Sequence, residues 1–288
     1  MEGVLSRQPQ ILPPEAGQPF PFSDLEFARV RELIHRKAGI ALAPGKKEMV
    51  YSRLARRLRT LGLESFAGYL QLVEAGDERE LEAFINALTT NLTSFFREPH
   101  HFRLLGERLA RQGSRRAVAI WSCGCSTGEE PYSIAMTARQ ALGERASLQI
   151  LATDIDTAVL ARARQAVYQL DQLQKVPGEL LRRFFLRGTG GKEGLGMVKE
   201  ELKRLVSFQR LNLQSERWPV AERFDYIFCR NVMIYFDRQT QRNILQRLAG
   251  RLNPGGLLFV GHSESLHGNQ DLFTGCGNTV YALRSADA

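Results

Sequence analysis

Trp121-Ser122-Cys123-Gly124-Cys125-Ser126-Thr127-Gly128-Glu129-Glu130-Pro131-Tyr132 joins an apolar run to a helix start through a turn carrying two glycines. The preceding residues, AVAIW (117–121), are apolar without alternation, as in a strand covered on both faces of a parallel sheet. Glu129 and Glu130 complement the positive end of a helix dipole, and Pro131 tolerates the first turn, where amides lack partners. Such a turn presents free amides to a ligand, and glycines at 124 and 128 are expected to let the backbone approach it. This strand–turn–helix is the opening unit of a doubly wound α/β fold.

The same texture recurs downstream. LQILATD (148–154), FDYIFC (224–229) and GLLFVG (256–261) read as further buried strands, with helices predicted over 131–142, 156–166 and 239–252. NTVYALR (278–284) is expected to form an antiparallel edge. Between them, residues 187–213 carry glycines at 188, 190, 191, 194 and 196, which fit tight turns and short strands better than a helix. This segment is expected to be a small β insertion ending in a core strand, LVSFQRLNL. Asp154 closes the second strand, where a doubly wound fold places the carboxylate that holds ribose hydroxyls.

Upstream, residues 23–88 read as helices alone. Ser23 and Asp24 can cap the first, whose apolar file is Phe27, Val30, Leu33 and Ile34. Gly39 and Pro44-Gly45 separate it from a second helix over 46–61, and two more are expected near 66–75 and 80–88. Residues 1–22, rich in proline and glutamine, read as a disordered tail without the basic-then-apolar pattern of a signal peptide.

At 288 residues and 43% hydrophobic content, the chain can build one large domain and a smaller appendage. It has no apolar run of the roughly 18 residues a membrane span needs, so a cytoplasmic protein is expected. Cys123, Cys125, Cys229 and Cys276 match no zinc spacing, and no metal is expected. The net charge of +8 points to an acidic partner: nucleic acid, an anionic membrane or an acidic protein surface.

Three readings of the glycine loop compete. A nicotinamide dehydrogenase needs G-x-G-x-x-G, and GCSTGE lacks it. Residues 124–128 do satisfy G-x-S-x-G, the elbow of serine hydrolases, with His262 downstream; yet an elbow follows earlier strands, and everything before residue 115 reads as helical. An S-adenosylmethionine site needs no phosphate fingerprint, because that cofactor has no phosphates, and it tolerates acids at the helix start. Two further segments bear polar groups. Asn91-Leu92-Thr93-Ser94-Phe95-Phe96-Arg97-Glu98-Pro99 reads as a polar lid, or as a turn with its phenylalanines in the core. Arg230, Asn231 and Tyr235 follow a central strand at its ligand-binding end.

In residues 46–61, Lys46, Arg53 and Arg57 form a file with Arg56 and Arg59 beside it, and six cations meet only Glu48. The face is either simply solvated or binds an acidic partner. The Asn/Asp-Pro-Pro-Tyr signature of amine methylation is missing, which disfavours a nucleic-acid methyltransferase and favours an acidic protein helix.

Taken together, NALTTNLTSFFREPHHF (86–102), residues 121–136, ATDIDTAVLARAR (152–164), FDYIFCRNVMIYF (224–236) and NPGGLLFVGHSES (253–265) resemble the CheR family, the chemotaxis-receptor glutamate O-methyltransferases. The resemblance runs from about residue 23 to the C-terminus. It implies a Rossmann-like class I methyltransferase sheet over 89–288, a small all-helical domain over 23–88, and an inserted antiparallel β-subdomain. It implies S-adenosylmethionine as cofactor, with S-adenosylhomocysteine as product, held by Asn91, Thr93, Arg97, Glu129, Asp154, Asn212, Leu213, Arg230 and Asn231. Arg97 and Tyr235 would lie nearest the methyl transfer. The implied partner is the cytoplasmic helical bundle of a transmembrane chemoreceptor, met by a monomer recruited to membrane receptor arrays. The family's β-subdomain is associated with docking a receptor C-terminal peptide.

Overall fold

The computed structural model describes residues 20–114, 116–220 and 223–284, so of the expected tail only 20–22 fall within it. The chain divides into two compact units, one of residues up to Ile34 with Leu42–Leu88, the other of His35–Ala41 with the chain from Thr89 onward.

The smaller unit is built from α1 (Asp24–Ala38, whose last turn groups with the larger unit), α2 (Lys47–Leu61), α3 (Phe66–Glu74) and α4 (Glu78–Leu88). Ser23 starts α1 with a reciprocal cap: its hydroxyl accepts from the Glu26 amide, and the Glu26 carboxylate accepts from the Ser23 amide. Phe27, Val30, Leu33 and Ile34 are buried as their spacing requires, as are Val50, Leu54 and Leu58 on α2. Leu61 departs from its file and is exposed, because α2 ends there and Gly62 turns the chain at φ 66°. Phe20 is buried and Phe22 lies 4.2 Å from the Phe66 ring, so packing begins before Ser23; two large aromatic surfaces outweigh the polar, proline-rich context.

The basic helix is not uniformly free. Arg57 forks onto Glu80 of α4, with Nε donating to Oε1 at 2.8 Å, while Glu80 is only 4% exposed. Arg53 donates to the Ala87 carbonyl, whereas Lys46, Arg56 and Arg59 are exposed. The count of cations against Glu48 alone missed Glu80, which comes from another helix.

The larger unit runs α5 (Pro99–Gln112), β1 (Val118–Cys123), α6 (Glu129–Leu142), β2 (Leu148–Asp154), α7 (Thr157–Gln165), β3 (Val167–Gln169), α8 (Gly178–Phe184), β4 (Phe185–Arg187), β5 (Leu195–Val198), α9 (Glu200–Lys203), β6 (Val206–Arg210), β7 (Phe224–Cys229), α10 (Arg238–Ala249), β8 (Leu252–Phe259), β9 (Phe273–Gly277) and β10 (Val280–Leu283). Its main sheet has the order β6-β2-β1-β7-β8-β10-β9, and all pairs from β6 to β8 are parallel. Neighbouring residues of a strand face opposite ways, so Ile120, Ile150 and Phe228 enter one core while Trp121, Leu151 and Ile227 enter the other. That is why these strands read as mostly apolar runs without strict alternation.

Two expectations shift. β10 is antiparallel, but β9 covers it and forms the edge. The three-stranded antiparallel sheet has the order β3-β5-β4, so two of its strands come before the glycine-rich segment that begins at 187. Three-residue strands such as Val167–Gln169 are too short to show a period. The glycines mark the turn between β4 and β5, where Gly190, Gly191 and Gly194 take positive φ.

Removing Arg57 leaves Glu80 buried without its partner. Arg57→Ala should therefore destabilise the helical unit by about 2–4 kcal/mol, at the lower end for a pair with one side partly in water. Urea unfolding measures this, and Arg57→Met with Glu80→Met should recover most of the loss. An unchanged midpoint in Arg57→Ala would show that the pair adds nothing.

Candidate active site

Cys123 of β1 stands in register with Thr153 of β2 and Cys229 of β7. Gly124, Asp154 and Arg230 therefore leave three adjacent strands side by side. β2 lies on one side of β1 and β7 on the other, which makes this the switch point where open α/β sheets bind ligands.

Gly124, Ser126 and Gly128 all take positive φ (68°, 50° and 98°) to turn β1 into α6. A Cβ on Gly124 would come within 2.4 Å of Val232, and one on Gly128 within 2.8 Å of the Tyr168 hydroxyl. Neighbouring protein atoms alone would exclude a side chain at either position. The Ser126 hydroxyl donates to the Asn91 carbonyl at 3.1 Å, while His262 Nδ1 meets Glu98 Oε1 at 2.9 Å. Serine and histidine are thus engaged elsewhere, and no nucleophile–base pair forms on the G-x-S-x-G loop.

The loop instead gathers buried carboxylates. Asp154 accepts from the Ser126 amide at 2.8 Å and the Asp156 amide at 3.0 Å, and burial pushes its carboxyl up to about 6. Glu129, 2% exposed, accepts from the Thr127 hydroxyl at 2.6 Å, and burial raises it too. Neutral donors hold both carboxylates in these bonds. A cofactor bearing a sulfonium, an ammonium group and ribose hydroxyls suits such a pocket; a dinucleotide pyrophosphate would be repelled. S-adenosylmethionine therefore fits this pocket.

Asn91 is tied into this wall: its Nδ2 donates to Asp156 Oδ2 at 2.8 Å, where the Thr89 hydroxyl also donates at 2.7 Å. Asp156 Oδ1 meanwhile caps α7 through the Ala158 and Val159 amides. Thr93 and Arg97 follow in the same segment, both half-buried, and Arg97 Nη1 donates to the Leu92 carbonyl at 2.9 Å. The Tyr235 hydroxyl reaches the Thr90 carbonyl at 3.4 Å, so the two candidate catalytic side chains meet one short stretch of backbone.

Arg230 behaves as a brace. Its side chain is 2% exposed, with Nη1 on Glu130 Oε2 at 2.9 Å and Nη2 on the Arg97 carbonyl and 3.2 Å from Glu98 Oε2. Glu130 also accepts from the Ser122 hydroxyl at 2.7 Å. Burial alone would raise Glu98, but hydrogen bonds from His262 and the charge of Arg230 outweigh it and hold the carboxyl at about 2. Asn231 takes φ 58° and is pinned by Glu264, whose carboxylate accepts from the Asn231, Met233 and Gly261 amides, each at 2.7 Å. Asn212 follows β6, where it donates to the Lys37 carbonyl at 2.9 Å and accepts from the Gln214 amide; Leu213 beside it is buried.

Glu98, His100 and His101 offer ligand atoms within 4.8 Å of one another. His101 Nε2 must carry the proton, since the Asn278 carbonyl 3.0 Å away only accepts, and burial lowers its titration to about 4. The positive end of α5 and the Arg230 guanidinium both oppose a cation beside it. This cluster is a buried neutral histidine against a charged brace.

Sequence reasoning brought Asn91, Arg97, Glu129, Asp154, Arg230 and Asn231 to one sheet edge, and the structure gathers them there. Lys46, Arg53, Arg56, Arg57 and Arg59 belong to the other unit. Glu98, Glu130, Asp156 and Glu264 were missed: their partners lie far away in the chain, so no spacing announces them.

Residues 91–282 match the family model described as CheR methyltransferase, SAM binding domain, and residues 25–89 match CheR methyltransferase, all-alpha domain. This chain belongs to the CheR methyltransferase family. It is 51% identical over 272 residues to a chemotaxis protein methyltransferase of Klebsiella aerogenes, covering 93% of each chain. It is also 50% identical over 267 residues to chemotaxis protein methyltransferase 2 of Pseudomonas aeruginosa, covering 92% of this chain and 95% of the relative. A solved O-methyltransferase family protein from Burkholderia thailandensis aligns at TM-score 0.36 and 15% identity over 66% of this chain and 43% of that one, too slight to argue from. The larger unit is thus the family's S-adenosylmethionine-binding domain, and the chain is a methyltransferase.

Two measurements follow from this geometry. Asp154 titrates near 6, above its ordinary 3.8, so the ligand-free fold holds more protons than the unfolded chain between those values and loses stability as pH rises through them. A cofactor bonded to the ionised carboxylate must displace that proton below pH 6. Calorimetry should show affinity falling about tenfold per pH unit there, and Asp154→Asn should bind weakly without this slope. A wild-type slope that persists in Asp154→Asn would place the titrating group elsewhere. Separately, Arg230→Met should strand Glu98 and Glu130 and lower the unfolding free energy by about 3–5 kcal/mol. Loss of cofactor affinity at full stability would instead make Arg230 a ligand contact.

Proposed function

We propose that this chain transfers a methyl group from S-adenosylmethionine to glutamate side-chain carboxylates of chemotaxis receptors, forming the methyl esters of sensory adaptation. The observation that carries this reading is near full-length similarity, at about half the residues, to chemotaxis protein methyltransferases. The pocket agrees with it through its chemistry. A glutamate ionises near pH 4.3, so at neutral pH the nucleophile is ready and needs no general base. His101 is buried and neutral and His262 is bound to Glu98, so neither histidine is placed as one.

When bound, the cofactor supplies a methyl carbon activated by a sulfonium and leaves as S-adenosylhomocysteine. Asn91, Thr93, Arg97, Glu129, Asp154, Asn212, Leu213, Arg230 and Asn231 form its surroundings in this reading. Glu129 and Asp154 offer negative charge, Arg230 acts through the Arg97 backbone, and Asn212 and Asn231 act through loops they fix. Arg97 aligns the substrate carboxylate by its guanidinium fork, and Tyr235 lies alongside as a neutral donor. Tight pairing with Arg97 would favour the reactant anion, so alignment matters more than affinity.

The receptor's helical bundle is the partner we assign to the basic face of α2, with Lys46, Arg56 and Arg59 outermost and Arg53 and Arg57 supporting. Docking of a receptor C-terminal peptide is assigned to the small sheet. Val167, Met197 and Leu186 stand in cross-strand register there, exposed by 42%, 37% and 49%. In this reading the chain works as a monomer recruited to receptor arrays; no described helix is long and apolar enough to cross a membrane.

Incubation with receptor membranes and methyl-labelled cofactor should yield base-labile label on receptor protein; label in RNA instead would refute this reading. Arg56→Glu with Arg59→Glu should raise KM for receptor several-fold, lose salt sensitivity and leave cofactor affinity unchanged. Leu186→Asp should slow only receptors that carry the docking peptide. Equal slowing of all receptors would tie the small sheet to the active site.

A further inference from the structure

A cleft of about 280 Å³ opens at the end of the main sheet away from the glycine loop, lined by Arg108, Arg111, Gln112, Arg116, Asp225 and Gly256 among others. Asp225 stands near the start of β7 and Arg230 just past its end, so the strand rise separates the two sites by about 16 Å. Nothing in the methyl-transfer chemistry uses this cleft.

Its unanswered side-chain charges are all cationic. Asp225, the acid of this lining, is already saturated: Oδ1 accepts from Arg116 Nη1 at 2.7 Å and Asn253 Nδ2 at 3.0 Å, and Oδ2 accepts from the Ala119 amide at 3.0 Å. Arg116 Nη2 donates to Gln112 Oε1 at 3.2 Å, which fixes the orientation of that amide. Gln112 Nε2 is then a buried donor with no acceptor. Arg108 and Arg111 lie one turn apart on the same face of α5, exposed toward the same cleft. Asp225 answers the charge of Arg116, and two guanidinium charges remain.

We infer that this cleft is a binding site for a phosphate-bearing small molecule. A phosphomonoester brings close to two negative charges and three acceptor oxygens, matching the two unanswered cations and the amide donor. Guanidinium forks fit phosphate oxygens in pairs. The volume accommodates a phosphate with a small organic group attached, at the low end of ligand pockets.

Calorimetric titration of the full chain with inorganic phosphate, in chloride buffer at constant ionic strength, tests the inference. The expected result is saturable binding at one site. Arg108→Gln with Arg111→Gln should weaken it at least tenfold, Gln112→Leu should weaken it measurably, and Arg56→Gln with Arg59→Gln should leave it unchanged. Methyl transfer to receptor in phosphate-free buffer should be the same in wild type and the Arg108/Arg111 variant. Absence of saturable phosphate binding, or equal affinity in that variant, overturns the proposal. So does recruitment of the chain by Arg108 and Arg111 to phosphatidic-acid vesicles without binding of soluble phosphate, which would make the cleft a membrane contact.

Discussion

Three chain segments are fastened by one buried guanidinium. Arg230 leaves β7 with almost no access to water and reaches Glu130 at the start of α6, the Arg97 carbonyl, and Glu98 at the entry to α5. Removing such a charge from water costs several kcal/mol unless its partners are well placed. The cost is offset only when the glycine loop, the Asn91–Arg97 segment and the end of β7 all take up their observed positions. Phe96 and Glu98 hold positive φ on either side of Arg97, where that segment ends, and Asn231 does so next to Arg230. The backbone is strained where the brace holds it, and the strain brings Arg97 to the sheet edge.

Around that brace, charge is segregated by sheet end. The edge at the glycine loop holds Asp154, Asp156 and Glu129, bonded in the described structure to amides and hydroxyls. Acids kept without a guanidinium of their own leave their charge for a cationic ligand. At the other end of the strands, Asp225 is fully engaged and arginines on α5 remain in excess. The parallel sheet makes this separation possible, because all strands from β6 to β8 point the same way and each end collects its own loops.

Much of the fold could be read along the chain because a strand covered on both faces must be apolar throughout. AVAIW shows that pattern throughout, and LQILATD and FDYIFC show it apart from Gln149, Thr153, Asp154 and Asp225. α5 and β9 escaped notice for opposite reasons. α5 follows a segment whose paired phenylalanines could equally belong to a turn, and β9 (Phe273–Gly277) is glycine-rich with most residues exposed. Phe95 is fully buried against Tyr168 and Phe185, as the core reading of that segment expects. Asp154 was legible as a strand end because the mostly apolar run before it stops there. Glu264 was not, since its carboxylate serves amides of a loop some thirty residues earlier in the chain.

The sequence by itself determined the classes of element, the strand ends at which chemistry would collect, and the family whose motifs those ends carry. Each depends on local pattern: apolar period, glycine at a turn, an acid closing a strand. Tertiary structure alone decided which charges are free. Arg57 and Arg59 look alike along α2, yet Arg57 is held by Glu80 from α4 while Arg59 is exposed. Gly124 and Gly128 read as turn glycines, and only the fold shows that Val232 and the Tyr168 hydroxyl would meet a side chain at each. Pairing and packing across long chain separations set the free energy of a charge or a missing side chain, and no local pattern records which distant residue will arrive.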